Sequence, residues 1–163
     1  MSNANPLHVS IIVGRSSHAQ AVIDDLWNRA LGALGERAGQ VAGTAVYAHN
    51  AHPAVTSGDN RLTLVPLRNP ADGPSASLLS AAAGKPGPVG VAGRLIRDNL
   101  ESRRLARTLA GRDDLQAIFR GSHLVVAADL TADRAVWELR KHTGAALVHG
   151  PIAMLHELRQ FTG

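Results

Sequence analysis

A short apolar run near the start of the chain constrains the fold most. Residues 7–14 read LHVSIIVG, a segment rich in β-branched residues and closed by glycine, which predicts a strand. An amphipathic stretch, 16–34, follows at once and predicts a helix. His8 stands at the head of this strand, where a polar side chain calls for an explanation. The rest of the chain is arranged around this strand, the turn after it and the helix.

Length and composition narrow the class of protein. A chain of 163 residues can form one domain with its own core. It contains no cysteine, which excludes disulfides, thiolate zinc sites and a catalytic thiol. No apolar run approaches the roughly 20 residues needed to span a bilayer, and the first residues lack the pattern of a signal peptide. We therefore expect a cytoplasmic protein that does not enter a membrane.

The net charge of +4 makes nucleic acid a candidate partner. The basic residues, however, alternate with acidic ones along the chain. Only 94–107 is dense in arginine, and it also holds Asp98 and Glu101. Because aromatic residues for base stacking are scarce, a solvated helix face is favoured over a nucleic-acid interface.

The first half of the chain predicts one helix and three strands. Ser16 and Ser17 are candidates to cap the first helix, which should end between Leu31 and Arg37. Strands are predicted at 44–48 and 61–67, and these two could form a meander. Glycine and proline between 69 and 88 predict mostly loop, with one short helix at 75–83.

The second half predicts helices with two strands between them. Pro88 should open a helix, followed by a second helical stretch at 103–109. The buried stripe of the first is expected to be Val91, Leu95, Ile96 and Leu100. The remaining elements are a short helix at 113–119, strands at 123–130 and 145–149, a helix at 132–142 capped by Thr131, and a last helix at 152–161. Since strands and helices do not alternate strictly, we predict a single α+β domain rather than a doubly wound sheet.

Eight histidines are the most obvious candidates for chemistry. His49 and His52 lie three residues apart and could bind zinc with a third ligand, but no fixed-spacing motif supports this, and exposed loop histidines are favoured. His8 could be a satisfied residue at a strand edge or a general acid or base, since imidazole titrates near neutral pH. The glycine-rich stretch 87–93 does not have the spacing of a phosphate-binding loop.

Four segments in the same order resemble the formaldehyde-activating enzyme family. His8 to Gly14, with a helix ending in Ala30-Leu31, is similar to the family's N-terminal signature. Weaker similarities occur at 46–50, 87–92 and 133–139. The chain departs from the family at Ser10, where the family has an acidic residue.

The resemblance implies a compact two-layer α+β domain like the second domain of ribosomal protein S5, assembled as a homopentamer with sites between subunits. The implied activity is that of a lyase of one-carbon metabolism, which condenses formaldehyde with tetrahydromethanopterin as co-substrate and needs no metal. His8 inherits the proton-transfer role, and Ser10, His49 and Asn50 are the implied substrate-binding residues. The alternative is a non-catalytic binding or regulatory protein, whose ligand is the pterin or formaldehyde.

Overall fold

Five parallel strands form the centre of the structure, a computed structural model that describes residues 6–15, 17–48, 54–68 and 81–161. The strands are β1 (Leu7–Val13), β2 (Val41–Ala48), β3 (Leu62–Leu67), β4 (Leu124–Ala127) and β5 (Ala146–His149). Their spatial order is β3-β2-β1-β4-β5, and every neighbouring pair is parallel. This strand order is the one found in doubly wound α/β domains.

The helices lie on both faces of this sheet. They are α1 (Ala19–Leu34), α2 (Pro88–Ala110), α3 (Asp113–Arg120), α4 (Leu130–Leu139) and α5 (Gly150–Gln160), with a 3₁₀ helix at Gly35–Gln40. One face packs against α1 and α5, through residues such as Ile23 and Met154. The other packs against α3, α4 and the second half of α2, through residues such as Phe119 and Leu109. Both faces of β1 are therefore buried, which explains why three apolar residues, Ile11, Ile12 and Val13, follow one another in it.

The parallel arrangement gives the sheet two distinct edges. The carboxyl edge carries the residues that follow Val13, Ala48, Leu67, Ala127 and His149. The amino edge carries the residues at which the strands begin. Because β1 pairs with both β2 and β4, the direction of winding reverses between β1 and β4. In open α/β sheets, ligands bind at the carboxyl edge beside this reversal.

The prediction that the chain mixes helices and strands is confirmed, whereas the predicted meander is wrong. β2 and β3 pair in parallel, with Thr44 opposite Thr63. A parallel pair needs a connection of about a dozen residues or more, and the connection 49–61 supplies that length.

The helix that opens at Pro88 differs from the prediction in two ways. It is one continuous helix of 23 residues, not two. The residues predicted as its buried stripe, Val91, Leu95, Ile96 and Leu100, are all exposed. The spacing of these residues correctly indicated a helix, but it could not show how far the helix extends past the sheet.

Two predicted helix caps are also wrong. The residue that precedes α1 is His18, and no side chain caps the helix there. Ser16 lies outside the described residues. In α4 the capping residue is Asp129, two positions earlier than the predicted Thr131. Of the predicted 75–83 helix, 81–83 is helical and the rest lies outside the described residues, as does most of the predicted loop.

None of the described helices is long and apolar enough to cross a membrane.

Candidate functional site

The carboxyl edge between β1 and β4 is organised by Asp129. Its Oδ2 accepts hydrogen bonds from the backbone N–H groups of Gly14 (2.9 Å) and Arg15 (3.0 Å). Its Oδ1 accepts from the N–H of Ala132 (2.9 Å) and so caps α4. One carboxylate thus joins the turn after β1 to the first turn of α4.

Gly14 allows these two segments to touch. A Cβ atom at this position would lie 2.8 Å from Cβ of Thr131 and 2.9 Å from N of Ala132, closer than real Cβ contacts. In nucleotide-binding domains the equivalent turn presents its amides to a phosphate. Here Asp129 occupies the two successive amides, so the protein's own carboxylate takes the anion position.

Arg15 extends this cluster to α2. Its Nη1 lies 3.1 Å from Oδ1 of Asp98 and 3.1 Å from Oε2 of Glu101. These contacts place the middle of α2 level with the carboxyl edge. The Arg15 and Asp98 side chains are about half exposed, so their attraction is screened by water.

A histidine–carboxylate pair lies further along the same edge. His149 is the last residue of β5, and its Nδ1 is 2.5 Å from Oδ1 of Asp133 in the first turns of α4. Both side chains are partly exposed, at 52% and 40%. A carboxylate on Nδ1 fixes the orientation of the imidazole and leaves Nε2 for another partner. The sequence analysis did not single out this pair.

His8, the predicted catalytic residue, lies at the opposite, amino edge. Its Nε2 is 3.0 Å from Oγ1 of Thr44, and its backbone N–H donates to Nδ1 of His123 (3.1 Å). Burial first, and the neighbouring His123 second, lower the pKa of His8. The half-buried imidazole is therefore neutral at pH 7, as a general base must be.

Of the predicted substrate-binding residues, the described part of the chain includes Ser10. It is fully buried and its hydroxyl is 2.7 Å from that of Ser122, so its surroundings do not favour contact with a substrate. His49 and Asn50 lie outside the described residues.

The described residues hold no cluster that fits a metal ion, and they do not test the pterin expectation. No group of three or more histidine, aspartate or glutamate side chains that could hold a metal ion occurs in them, and His49 and His52 are outside them. A groove between α2, α3 and α4 has a volume of about 90 Å³, with Gln116, Glu138 and His142 among its lining residues. Sites for drug-sized ligands have volumes of roughly 300–1,000 Å³, so this groove is too small for a pterin.

The fold defines the class of the protein as a parallel α/β domain with doubly wound strand order. Compared with protein-family models, curated proteins and solved structures, the chain gives no match. The resemblance to the formaldehyde-activating enzyme therefore stays a prediction. Any function must be argued from the residues at the two edges of the sheet.

Proposed function

We propose that this chain binds a small metabolite at the carboxyl edge of its sheet, with His149 as the group that exchanges a proton with it. The observation that carries the proposal is the pair of His149 and Asp133 at the carboxyl end of β5. Parallel α/β sheets bind ligands at this edge, where loops and helix N-termini converge.

The charges at the edge indicate the class of metabolite. The amides that would hold a phosphate in the turn after β1 are bonded to Asp129. Asp133 adds a further carboxylate along the same edge, whereas the charge of Asp98 is paired with Arg15. A ligand with a phosphate or diphosphate group would meet repulsion here, so a neutral or cationic metabolite is favoured.

The geometry of the pair supports proton transfer. Asp133 holds Nδ1 of His149 and so fixes the orientation of the ring, which leaves Nε2 for a ligand. Its exposure gives a ligand access without rearrangement of the core. The pair resembles the histidine and the carboxylate of a catalytic triad, but among the described residues no nucleophile is hydrogen-bonded to it.

Two-dimensional NMR with a panel of neutral, cationic and anionic metabolites tests this proposal. We expect shifts at His149 and Asp133 with neutral or cationic compounds, and affinity lowered by about tenfold or more in His149→Gln. His142→Gln is the matched control, because His142 is also a histidine beside a helix end. Shifts confined to the amino edge, or equal losses in both variants, would refute the proposal.

A second candidate is condensation of formaldehyde with tetrahydromethanopterin, or a diverged form of that activity. The observation that favours it is His8, whose lowered pKa keeps it neutral and able to accept a proton. This candidate function also implies the S5-like α+β arrangement, the homopentamer and the cytoplasmic location. It further implies that Ser10, His49 and Asn50 bind the substrate. The parallel strand order is not an argument for that arrangement. The pterin would need walls from a second subunit.

Formation of methylene-tetrahydromethanopterin, with the spontaneous rate subtracted, tests the second candidate. An active wild type should lose about 10²–10⁴-fold of its catalysed rate in His8→Ala, the usual contribution of a positioned acid–base group. Ser10→Asp restores the family's acidic residue and should raise a weakened activity. A wild type that binds the pterin without turnover would instead be the regulatory alternative.

A further inference from the structure

The second half of α2 carries arginines whose charges are not balanced by the acids near them in sequence. The arginine-rich stretch 94–107 also holds Asp98 and Glu101, but in the fold both of these carboxylates contact Arg15. At 100° per residue, they lie on a different side of the helix from Arg103 and Arg107. These two arginines are exposed and one turn apart. A helix face balanced by its own acids, the interpretation that the sequence favoured, therefore does not apply to them.

The neighbouring helix α4 adds further cations. Residues of α2 and α4 line the same groove, so the outer sides of the two helices form one surface. Arg134, Trp137 and Lys141 are exposed and, at a spacing of three and four residues, share the outer face of α4. Arg140 is exposed as well, and its Cζ lies 3.5 Å from the centre of the Trp137 ring. We call Arg103, Arg107, Arg134, Trp137, Arg140 and Lys141 the α2–α4 surface.

The charge of the α2–α4 surface differs from that of the whole chain. The chain has 17 basic and 13 acidic residues, whereas five of the six residues that define the surface are cations. Glu138 lies among them and is paired with Arg134 at 3.2 Å. The other four cations form no ion pair with any residue that the structure describes. Such a cluster attracts polyanions, and salt weakens the attraction.

Trp137 distinguishes among the possible polyanions. It is 55% exposed, whereas Trp27 is 3% exposed and donates a hydrogen bond to Asp59. An exposed indole stacked with a guanidinium presents a flat surface on which an unpaired base can stack, and this stacking is tolerant of sequence. An acidic polypeptide could use the cations but has no base for this platform. In a duplex the bases are already stacked on one another.

We propose that the α2–α4 surface binds a single strand of nucleic acid, with its cations on the phosphates and the pair of Trp137 and Arg140 against a base. With four unpaired cations the binding should be weak and independent of sequence, with a Kd on the order of 10 μM at low salt. The logarithm of the binding constant should fall with the logarithm of the salt concentration with a slope of about −3, since each neutralised phosphate contributes about −0.7. This binding is separate from the metabolite site, because neither His149 nor Asp133 belongs to the surface.

Fluorescence anisotropy of a labelled oligothymidylate of about 15 nucleotides tests the charge of the surface. Arg103→Gln combined with Arg107→Gln should weaken binding about tenfold at low salt and make the slope shallower by about 1.4. The matched control combines Arg29→Gln with Arg37→Gln, which removes the same charge from exposed residues of α1 and the 3₁₀ helix. The control and His149→Gln should both bind within about twofold of the wild type.

Two comparisons test the stacking. Trp137→Ala should weaken binding about tenfold without a change in slope, and Trp137→Phe should recover most of the affinity. A duplex of the same length should bind less tightly than the single strand, although its higher charge density would favour it on a surface that acts by charge alone.

Three results overturn the proposal. The first is a single strand that does not bind at about 100 μM in low salt. The second is a duplex or polyglutamate that binds as tightly as the strand, which would indicate attraction by charge alone or an acidic polypeptide partner. The third is an equal loss of affinity in the two double variants. Because the substituted side chains are exposed, folding of the variants is expected and is checked by circular dichroism.

Discussion

Asp129→Ala is the most informative single perturbation of this fold. The substitution removes the acceptor of three backbone N–H groups, those of Gly14, Arg15 and Ala132, without touching the apolar core. The carboxylate has two roles, which the substitution removes together. It caps α4, and it holds the turn after β1, a contact that we call the clamp. Each has a magnitude that the structure allows us to work out.

The cap and the clamp contribute unequally. Loss of an N-cap aspartate costs about 1 kcal/mol of the free energy of unfolding. The N–H of Gly14 is partly buried, and leaving it without an acceptor adds about 1–3 kcal/mol. The N–H of Arg15 is exposed, so water replaces the lost partner at little cost. The total of about 2–4 kcal/mol corresponds to a fall in Tm of roughly 5–15 °C for a chain of this size.

Urea denaturation followed by circular dichroism and fluorescence measures this loss. Asp129→Asn keeps one oxygen acceptor and a good cap, so its loss should be about half as large. Asp98→Ala is the control, because its ion pair with Arg15 is exposed and contributes less than about 1 kcal/mol. If Asp129→Ala lies within about 0.5 kcal/mol of the wild type, the clamp does not stabilise the fold as argued.

Two further predictions concern stability. Gly14→Ala should lower the free energy of unfolding by about 1–3 kcal/mol because its Cβ would press against Thr131 and Ala132, whereas Gly32→Ala, in open space on α1, should raise it by about 0.5–1 kcal/mol; equal effects in urea denaturation would contradict the close contact. The lowered pKa of His8 means that stability is fully present above the unfolded value of 6.5 and is lost as the pH falls toward the lower folded pKa. Tm measured between pH 8 and pH 5 should therefore fall more steeply in the wild type than in His8→Gln, and identical slopes would show that His8 titrates normally.

The positions of most elements could be predicted from the sequence, but their pairing could not. The 3.6-residue spacing and the glycine and proline boundaries located α1, α3 and α5 to within a few residues. β1 also carried an unused signal, because consecutive apolar residues such as Ile11, Ile12 and Val13 are typical of a strand buried on both faces of a parallel sheet. The connection 49–61 between β2 and β3 shows no helical pattern, so nothing local indicated a crossover. Without a helix predicted between these two strands, strands and helices did not alternate strictly, and this led to the α+β prediction.

The candidate site was predictable only in part. Asp129 follows an apolar strand directly and precedes a helix, which is the usual position of an N-cap, so local chemistry could have found it. The pair of His149 and Asp133 could not be found in this way. The two residues are brought together only because β5 lies beside β4 and α4 returns over the sheet.

The two edges of the sheet therefore differ in chemistry as well as in position. At the amino edge, polar side chains are hydrogen-bonded to one another: His8 to Thr44, and Ser10 to Ser122. These bonds join β1 to its neighbours and leave few polar groups for a ligand, which is the pattern of a stabilising edge. At the carboxyl edge, the His149 side chain is about half exposed and its Nδ1 contacts a carboxylate. The assays on His149 and on His8 therefore test the carboxyl edge and the amino edge separately.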